Sequence, residues 1–158
     1  MSNQGNYVVP KDRQAVKVHL DHGRVIDGAI FLEYAPPDHT THERVIAFLE
    51  NPANFFPLAV HEGVEPEFIF KRNLLMIEVE YPEQDPDSYS LIHMLPVTLQ
   101  FLDQTTVSGD LMIDAPEEKS RLSDCLNSAD QFLCVKIGRK IFYVEKNSLC
   151  KVSRRNRL

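Results

Sequence analysis

Six histidines are the side chains in this sequence best suited to chemistry, and four of them form two His-x-x-His pairs, His19/His22 and His39/His42. On a strand, residues three apart point to opposite faces, so His19 and His22 share a metal only if the chain turns between them. His39 and His42 stand where a loop enters a predicted helix with Glu43 beside them, which makes them the better-placed candidate metal ligands. A zinc site needs three or four ligands held by a supporting shell, and neither an HEXXH order nor a Cys-x-x-Cys spacing occurs here. The histidines, His61 and His93 included, therefore read as hydrogen-bonded or solvent-facing groups. No metal and no other cofactor is assigned.

Nucleophilic chemistry finds less. The sequence has no Gly-x-Ser-x-Gly and no glycine-rich phosphate loop, and Ser123 and Asp124 are neighbours on a predicted helix, where consecutive side chains do not face each other. Arg44 and Arg121 open the two predicted helices and read as partners of a carboxylate such as Asp124, or of backbone carbonyls. No catalytic residue is assigned, and the chain is read as a non-enzyme.

The elements that would position these groups come twice. Val16, Val18, Leu20, Ile26, Gly28, Ile30 and Leu32 match Val97, Leu99, Phe101, Val107, Gly109, Leu111 and Ile113 at one constant offset. Arg44-Val45, Leu49 and Phe55-Phe56 then match Arg121-Leu122, Leu126 and Phe132-Leu133, and Phe68-Ile69-Phe70 is set against Phe142-Tyr143-Val144. Period-two alternation around Asp21-His22-Gly23 predicts a hairpin over 15–21 and 24–34. Thr40 to Glu43 offers a capping box for a helix over 41–50, with Val45, Phe48 and Leu49 on one face. Its counterpart, 120–128, has Ser120 as the N-cap and Leu122, Cys125 and Leu126 as the apolar face. Strands are predicted over 54–60, 65–71 and 74–80, and again over 131–137, 140–146 and 148–153. Phe55, Phe56, Phe68 and Phe70 are predicted core.

The first copy is longer in two places, by four residues between Leu32 and Arg44 and by about three between Leu58 and Phe68. Insertions of this kind lie on the surface, where one copy acquires a task the other lacks. The organisation read from these signals is an extension over 1–14, a first repeat over 15–80, an acidic proline-containing linker over 81–95, a second repeat over 96–153 and a basic tail over 154–158.

At 158 residues and 43% hydrophobic content the chain can bury a core. Its net charge is −6, yet the last eight residues carry Lys151, Arg154, Arg155 and Arg157, so residues 1–150 hold −10. A body that acidic repels phosphates at long range, which argues against nucleic acid as the main partner and leaves RNA as an alternative. No run approaches the roughly 18 apolar residues of a membrane span and the N-terminus has no signal-peptide pattern, so membrane insertion is not expected. Cys125, Cys134 and Cys150 are odd in number and without close spacing, reading as small core residues in a reducing cytoplasm.

Val16-x-Val18-x-Leu20-Asp21-x-Gly23-Arg24-x-Ile26-x-Gly28-x-Ile30 resembles the first motif of Sm-like domains, and Phe70-Lys71-Arg72-Asn73-Leu74-Leu75 is similar to their second. Val97 to Ile113 and Val144 to Leu149 repeat both less faithfully. Arg121-Leu122-Ser123-Asp124-Cys125-Leu126-Asn127 is also similar to a repeat motif of uncharacterised bacterial proteins, which supplies a fold and no function. The resemblance implies a mainly β chain of two tandem five-stranded Sm-like or SH3-like barrels, each with a short helix between its second and third strands. It also implies association through exposed edge strands, with a protein partner or a homo-oligomer as the expected state. The loop that holds a base in Sm-like proteins is replaced here by the predicted helix. Arg72, Lys146, Arg154, Arg155 and Arg157 are the candidate RNA or partner contacts. Three readings follow: a non-catalytic interaction or assembly subunit, an Sm-like RNA-binding module, and a metal- or ligand-binding sensor.

Overall fold

The computed structural model describes residues 11–33, 39–81, 92–116 and 121–155. The chain opens with the predicted hairpin, β1 (Lys11–Leu20) and β2 (Val25–Glu33), closed by Asp21-His22-Gly23. His22 and Gly23 both take positive φ there, at 60° and 74°, and Arg24 clamps the turn by binding the Asp21 carboxylate at 2.6 Å. Thr40 caps the helix: the Glu43 N–H donates to Thr40 Oγ1 at 3.1 Å, the Thr40 hydroxyl donates to the Glu43 carboxylate at 3.3 Å, and α1 (Thr41–Leu49) buries Val45 and Leu49. β3 (Phe55–Leu58), β4 (Glu67–Phe70) and β5 (Leu74–Glu80) complete the first half.

The second half repeats this order with β6 (His93–Phe101), β7 (Thr106–Ile113), α2 (Leu122–Leu126), β8 (Phe132–Ile137), β9 (Lys140–Glu145) and β10 (Leu149–Arg154). α2 is shorter than expected. Arg121 holds its N-cap position without a side-chain bond to the helix, and the expected cap Ser120 lies outside the described residues.

Three boundaries move. β1 begins at Lys11, because Lys11 to Gln14, polar though they are, pair by backbone with Ile30 to Glu33. β6 begins at His93, inside the segment read as linker, while 82–91 lie outside the described residues. The segment read as tail starts within β10, and the Arg155 N–H still donates to the Pro96 carbonyl at 2.9 Å.

The sheet is mainly β as expected, but its eight strands run through both halves in the order β10-β6-β7-β8-β9-β5-β1-β2, with β3-β4 as a separate ribbon. The ribbon joins β2 through a single bridge, Ala29 to Ala59, with reciprocal 2.9 Å N–H···O bonds. Within each half the strands follow one order, β5-β1-β2-β3-β4 and β10-β6-β7-β8-β9. The halves meet strand to strand where β5 pairs antiparallel with β9.

That junction is buried on both faces. Ile77, Val79, Ile141 and Tyr143 enter one core with Val18, Ile30, Leu32 and Leu58, while Leu75, Met76, Phe142 and Val144 enter the other with Val97, Leu99, Phe101 and Leu111. β9 alternates between the two cores as the two-residue period requires, and β5 does so except at the irregularity where Leu75 and Met76 both enter the second.

The pairing also corrects how the halves match. Phe56 pairs with Ile69 and Leu133 with Val144, so Ile69 corresponds to Val144 rather than to Tyr143. A one-residue slip exchanges the faces of a strand. Phe68 therefore corresponds to Tyr143, Phe70 to Glu145, and the turn Lys71–Asn73 to the turn Lys146–Ser148.

Candidate functional site

Most side chains capable of chemistry are engaged within the fold. On β5, Glu78 accepts from Lys140 Nζ at 3.0 Å across the junction and lies 3.0 Å from His19 Nε2 on β1. Burial pushes this carboxyl up, but the hydrogen bonds from Lys140 and His19 outweigh it and hold the group below the ordinary carboxylate value. On α1, His42 Nδ1 lies 2.8 Å from the hydroxyl of buried Tyr143, which lies 2.7 Å from that of Tyr81. Burial lowers the His42 pKa, against the upward pull of Glu43 and Asp114. Glu50, just past α1, accepts from the N–H groups of Gln131 and Phe132 at 2.9 to 3.0 Å and so ties the first half to the start of β8.

A matched pair of lysines closes the helix ends. Lys71 Nζ donates to the Leu49 and Asn51 carbonyls, and Lys146 Nζ donates to those of Cys125, Leu126 and Ser128. An ammonium at this place satisfies carbonyls that the helix leaves unpaired and meets the negative end of its dipole.

The remaining candidates are placed as follows. His22, His39, His61 and His93 are exposed, and among the described residues no group of three or more His, Cys, Asp or Glu is arranged to hold a metal ion. Arg44 binds Asp12 at 2.8 Å together with the carbonyls of Leu32 and Glu33, as expected, whereas Arg121 binds Asp124 at 3.2 Å from an exposed position. Arg72 is exposed, its guanidinium 5.5 Å from the centre of the Phe70 ring. Arg154 and Arg155 are exposed at the end of β10, and Arg157 lies outside the described residues. Lys146, offered as an RNA or partner contact, engages its ammonium with the carbonyls at the end of α2. Cys125 and Cys134 are half-buried, but Cys150 is exposed on β10 and is not core.

The largest departure from expectation concerns the phenylalanines. Phe56 is buried, while Phe55, Phe68 and Phe70 form an outward cluster with ring centres 5.6 and 5.7 Å apart. They are 43%, 57% and 47% exposed, whereas their counterparts Phe132, Tyr143 and Glu145 are 6%, 0% and 2% exposed. Phe132 and Tyr143 lie in one core with Val45 and Leu49 of α1 and Ile77 and Val79 of β5. The phenylalanines have each other and, at Phe70, the Arg72 guanidinium as neighbours, and remain about half exposed.

Beside them a groove of about 770 Å³ runs between α1 and the ribbon, lined by Phe31, Arg44, Phe48, His61 and Val64. Both stretches in which the first half is longer reach it, at His39 and at His61 to Val64 and Pro66. The outer edges of β4 and β10 are unpaired among the described residues. The phenylalanine face and these two edges make up the candidate site. Sequence reasoning found the aromatic residues but put them in the core, since alternation says which residues share a face and not which face is covered.

No helix among the described residues is long and apolar enough to cross a membrane. No protein family, curated protein or solved structure matches the chain.

Proposed function

We propose that this chain is a non-catalytic protein-interaction or assembly subunit built from two small Sm-like or SH3-like barrels, working in a reducing cytoplasm where its three thiols stay free. One observation carries the reading: a cluster of outward phenylalanines adjoins an open strand edge, while the buried and half-buried polar groups, Glu78, His42, Glu50 and Lys71, hold the fold together. Contiguous exposed aromatics next to an open edge are what a protein partner covers, by strand addition and apolar burial together. The common strand order of the two halves supports the barrel reading. Arg72 over Phe70 favours a second reading, an RNA base stacked on the same platform.

Native mass spectrometry of the protein drawn gently from its own cells separates the two. A defined protein complex of fixed stoichiometry, free of RNA, is the expected result. A monomer, with RNA or without it, overturns the assembly reading.

A further inference from the structure

The two halves carry the same groove, but only in the second does a helix from the other half lie against it. In the first half the cleft of about 770 Å³ reaches Phe31, Phe48, Phe55 and Pro57. Their counterparts Met112, Cys125, Phe132 and Cys134 line a cleft of about 660 Å³ in the second half. There α1 supplies the opposite wall with Thr41, His42, Ile46 and Glu50, whereas every residue lining the first groove belongs to the first half itself. We propose that the groove of the first half receives a helix of a different protein, seated as α1 is seated on the second half. That helix carries two apolar side chains four residues apart and a carboxylate four residues further on. The proposal rests on the assembly reading and deepens it by giving the chemistry of the partner.

The template is α1. His42, Ile46 and Glu50 follow at four-residue spacing and so share one side of the helix. Each meets the second half. His42 Nδ1 lies 2.8 Å from the Tyr143 hydroxyl, Ile46 packs against the core that holds Met112 and Phe132, and Glu50 accepts from the N–H groups of Gln131 and Phe132.

The first half presents the same three places, unfilled. Tyr143 corresponds to Phe68, Met112 to Phe31, and the two N–H groups to those of Asn54 and Phe55. Phe31 is 38% exposed where Met112 is 7%, and among the described residues no side chain accepts from the Asn54 or Phe55 N–H. Phe68 has no hydroxyl to bind, so the partner's first position is apolar where α1 has His42. Its second position is apolar over Phe31 and Phe55, and a carboxylate at the third accepts from the two N–H groups in charge-assisted bonds. A helix anchored through residues at this spacing in an aromatic-floored groove is an established mode of recognition between proteins.

A second copy of this chain does not fit. With Arg121 in the place of Arg44, Ser123 stands for Ile46 and Asn127 for Glu50, so α2 offers neither the apolar side chain nor the carboxylate. α1 is already engaged within the chain. The stretches private to the first half add His39, His61 and the exposed Val64 to the lining of this groove, where the second half has no counterparts for them.

The probe that tests this is a synthetic helical peptide with Leu, Ile and Glu at successive four-residue intervals on a background of Ala, Gln and Lys. It should bind the full chain saturably and one to one by fluorescence anisotropy, and in isotope-labelled protein it should move the amide signals of Asn54 and Phe55 furthest. Replacing the peptide glutamate by glutamine should weaken binding about tenfold. Phe31→Ser with Phe55→Ser in the chain should weaken it about tenfold or more. Phe68→Tyr should shift the preference at the first peptide position from Leu to His, as Tyr143 takes His42. Far-ultraviolet circular dichroism confirms that each variant is folded. Native mass spectrometry of the wild type and of the Phe31→Ser, Phe55→Ser chain, each drawn from its cells, extends the test to the natural partner: the variant should lose a complex with a different protein that the wild type holds. Lack of saturable peptide binding, or binding indifferent to the glutamate, overturns the proposal. A complex that survives both substitutions, or one made only of copies of this chain, also overturns it while leaving the assembly reading standing; the absence of any complex overturns both.

Discussion

Lys71 and Lys146 show at the scale of single residues what the repeated pattern is for. Each reaches from a turn between two strands to the carbonyls at the end of a helix, but Lys71 is buried and Lys146 is not. Removing the donor leaves buried carbonyls unsatisfied, so Lys71→Met should cost about 1–3 kcal/mol and Lys146→Met less, read as the shift in urea midpoint. His42 gives a pH dependence. Its folded pKa lies below the unfolded value of about 6.5, so the folded state binds fewer protons. The stability it contributes is complete above the unfolded pKa and is lost as pH falls through the folded one. His42→Gln should therefore flatten the decline below about pH 6.5, and an unchanged slope would contradict the burial argument. The thiols separate by exposure. Cys150 should react with iodoacetamide first and Cys134 last, its thiol pushed up to about 12 by burial.

At the scale of elements, two glycines do matching work. A Cβ on Gly28 would lie 2.8 Å from the Ala59 carbonyl and the Leu58 side chain, and one on Gly109 would lie 2.7 Å from Val135 and Ile137. Both positions let the second strand of a half close against its third. Gly28→Ala and Gly109→Ala should each cost about 1–3 kcal/mol in denaturant titrations. The helices differ more. Leu49 is fully buried and Leu126 only half so, which puts Leu49→Ala in the range of about 2–5 kcal/mol and Leu126→Ala below it. These elements were legible because their signals are local: the Thr40–Glu43 box, the Asp21–Gly23 turn, and alternation in each strand. The β5–β9 junction was not, because pairing between strands about 60 residues apart leaves no local mark. The exposed phenylalanines were misplaced for the same reason: whether a face is covered depends on a distant strand. The buried Tyr143 carried no sequence signal beyond its place in the alternation.

For the whole molecule, the shared strands decide how it unfolds. β8, β9 and β5 give residues to both cores, so neither core can be exposed without stripping one face from strands the other needs. Glu50 and the His42–Tyr143 pair add polar ties across the same junction. Two independent barrels on a linker would instead melt separately, each with its own midpoint. The chain should therefore unfold in one transition, with circular dichroism and tyrosine fluorescence tracing coincident curves. Ile30→Ala lies in the first core and Leu111→Ala in the second, and each should move that single transition without splitting it. A plateau between two steps, or a variant that shifts one probe and not the other, would show that the halves are separate folding units and that β5–β9 is a weak contact. Urea titration of the three proteins below the concentration at which copies associate keeps subunit contacts out of the measurement, since association would raise the midpoint with concentration.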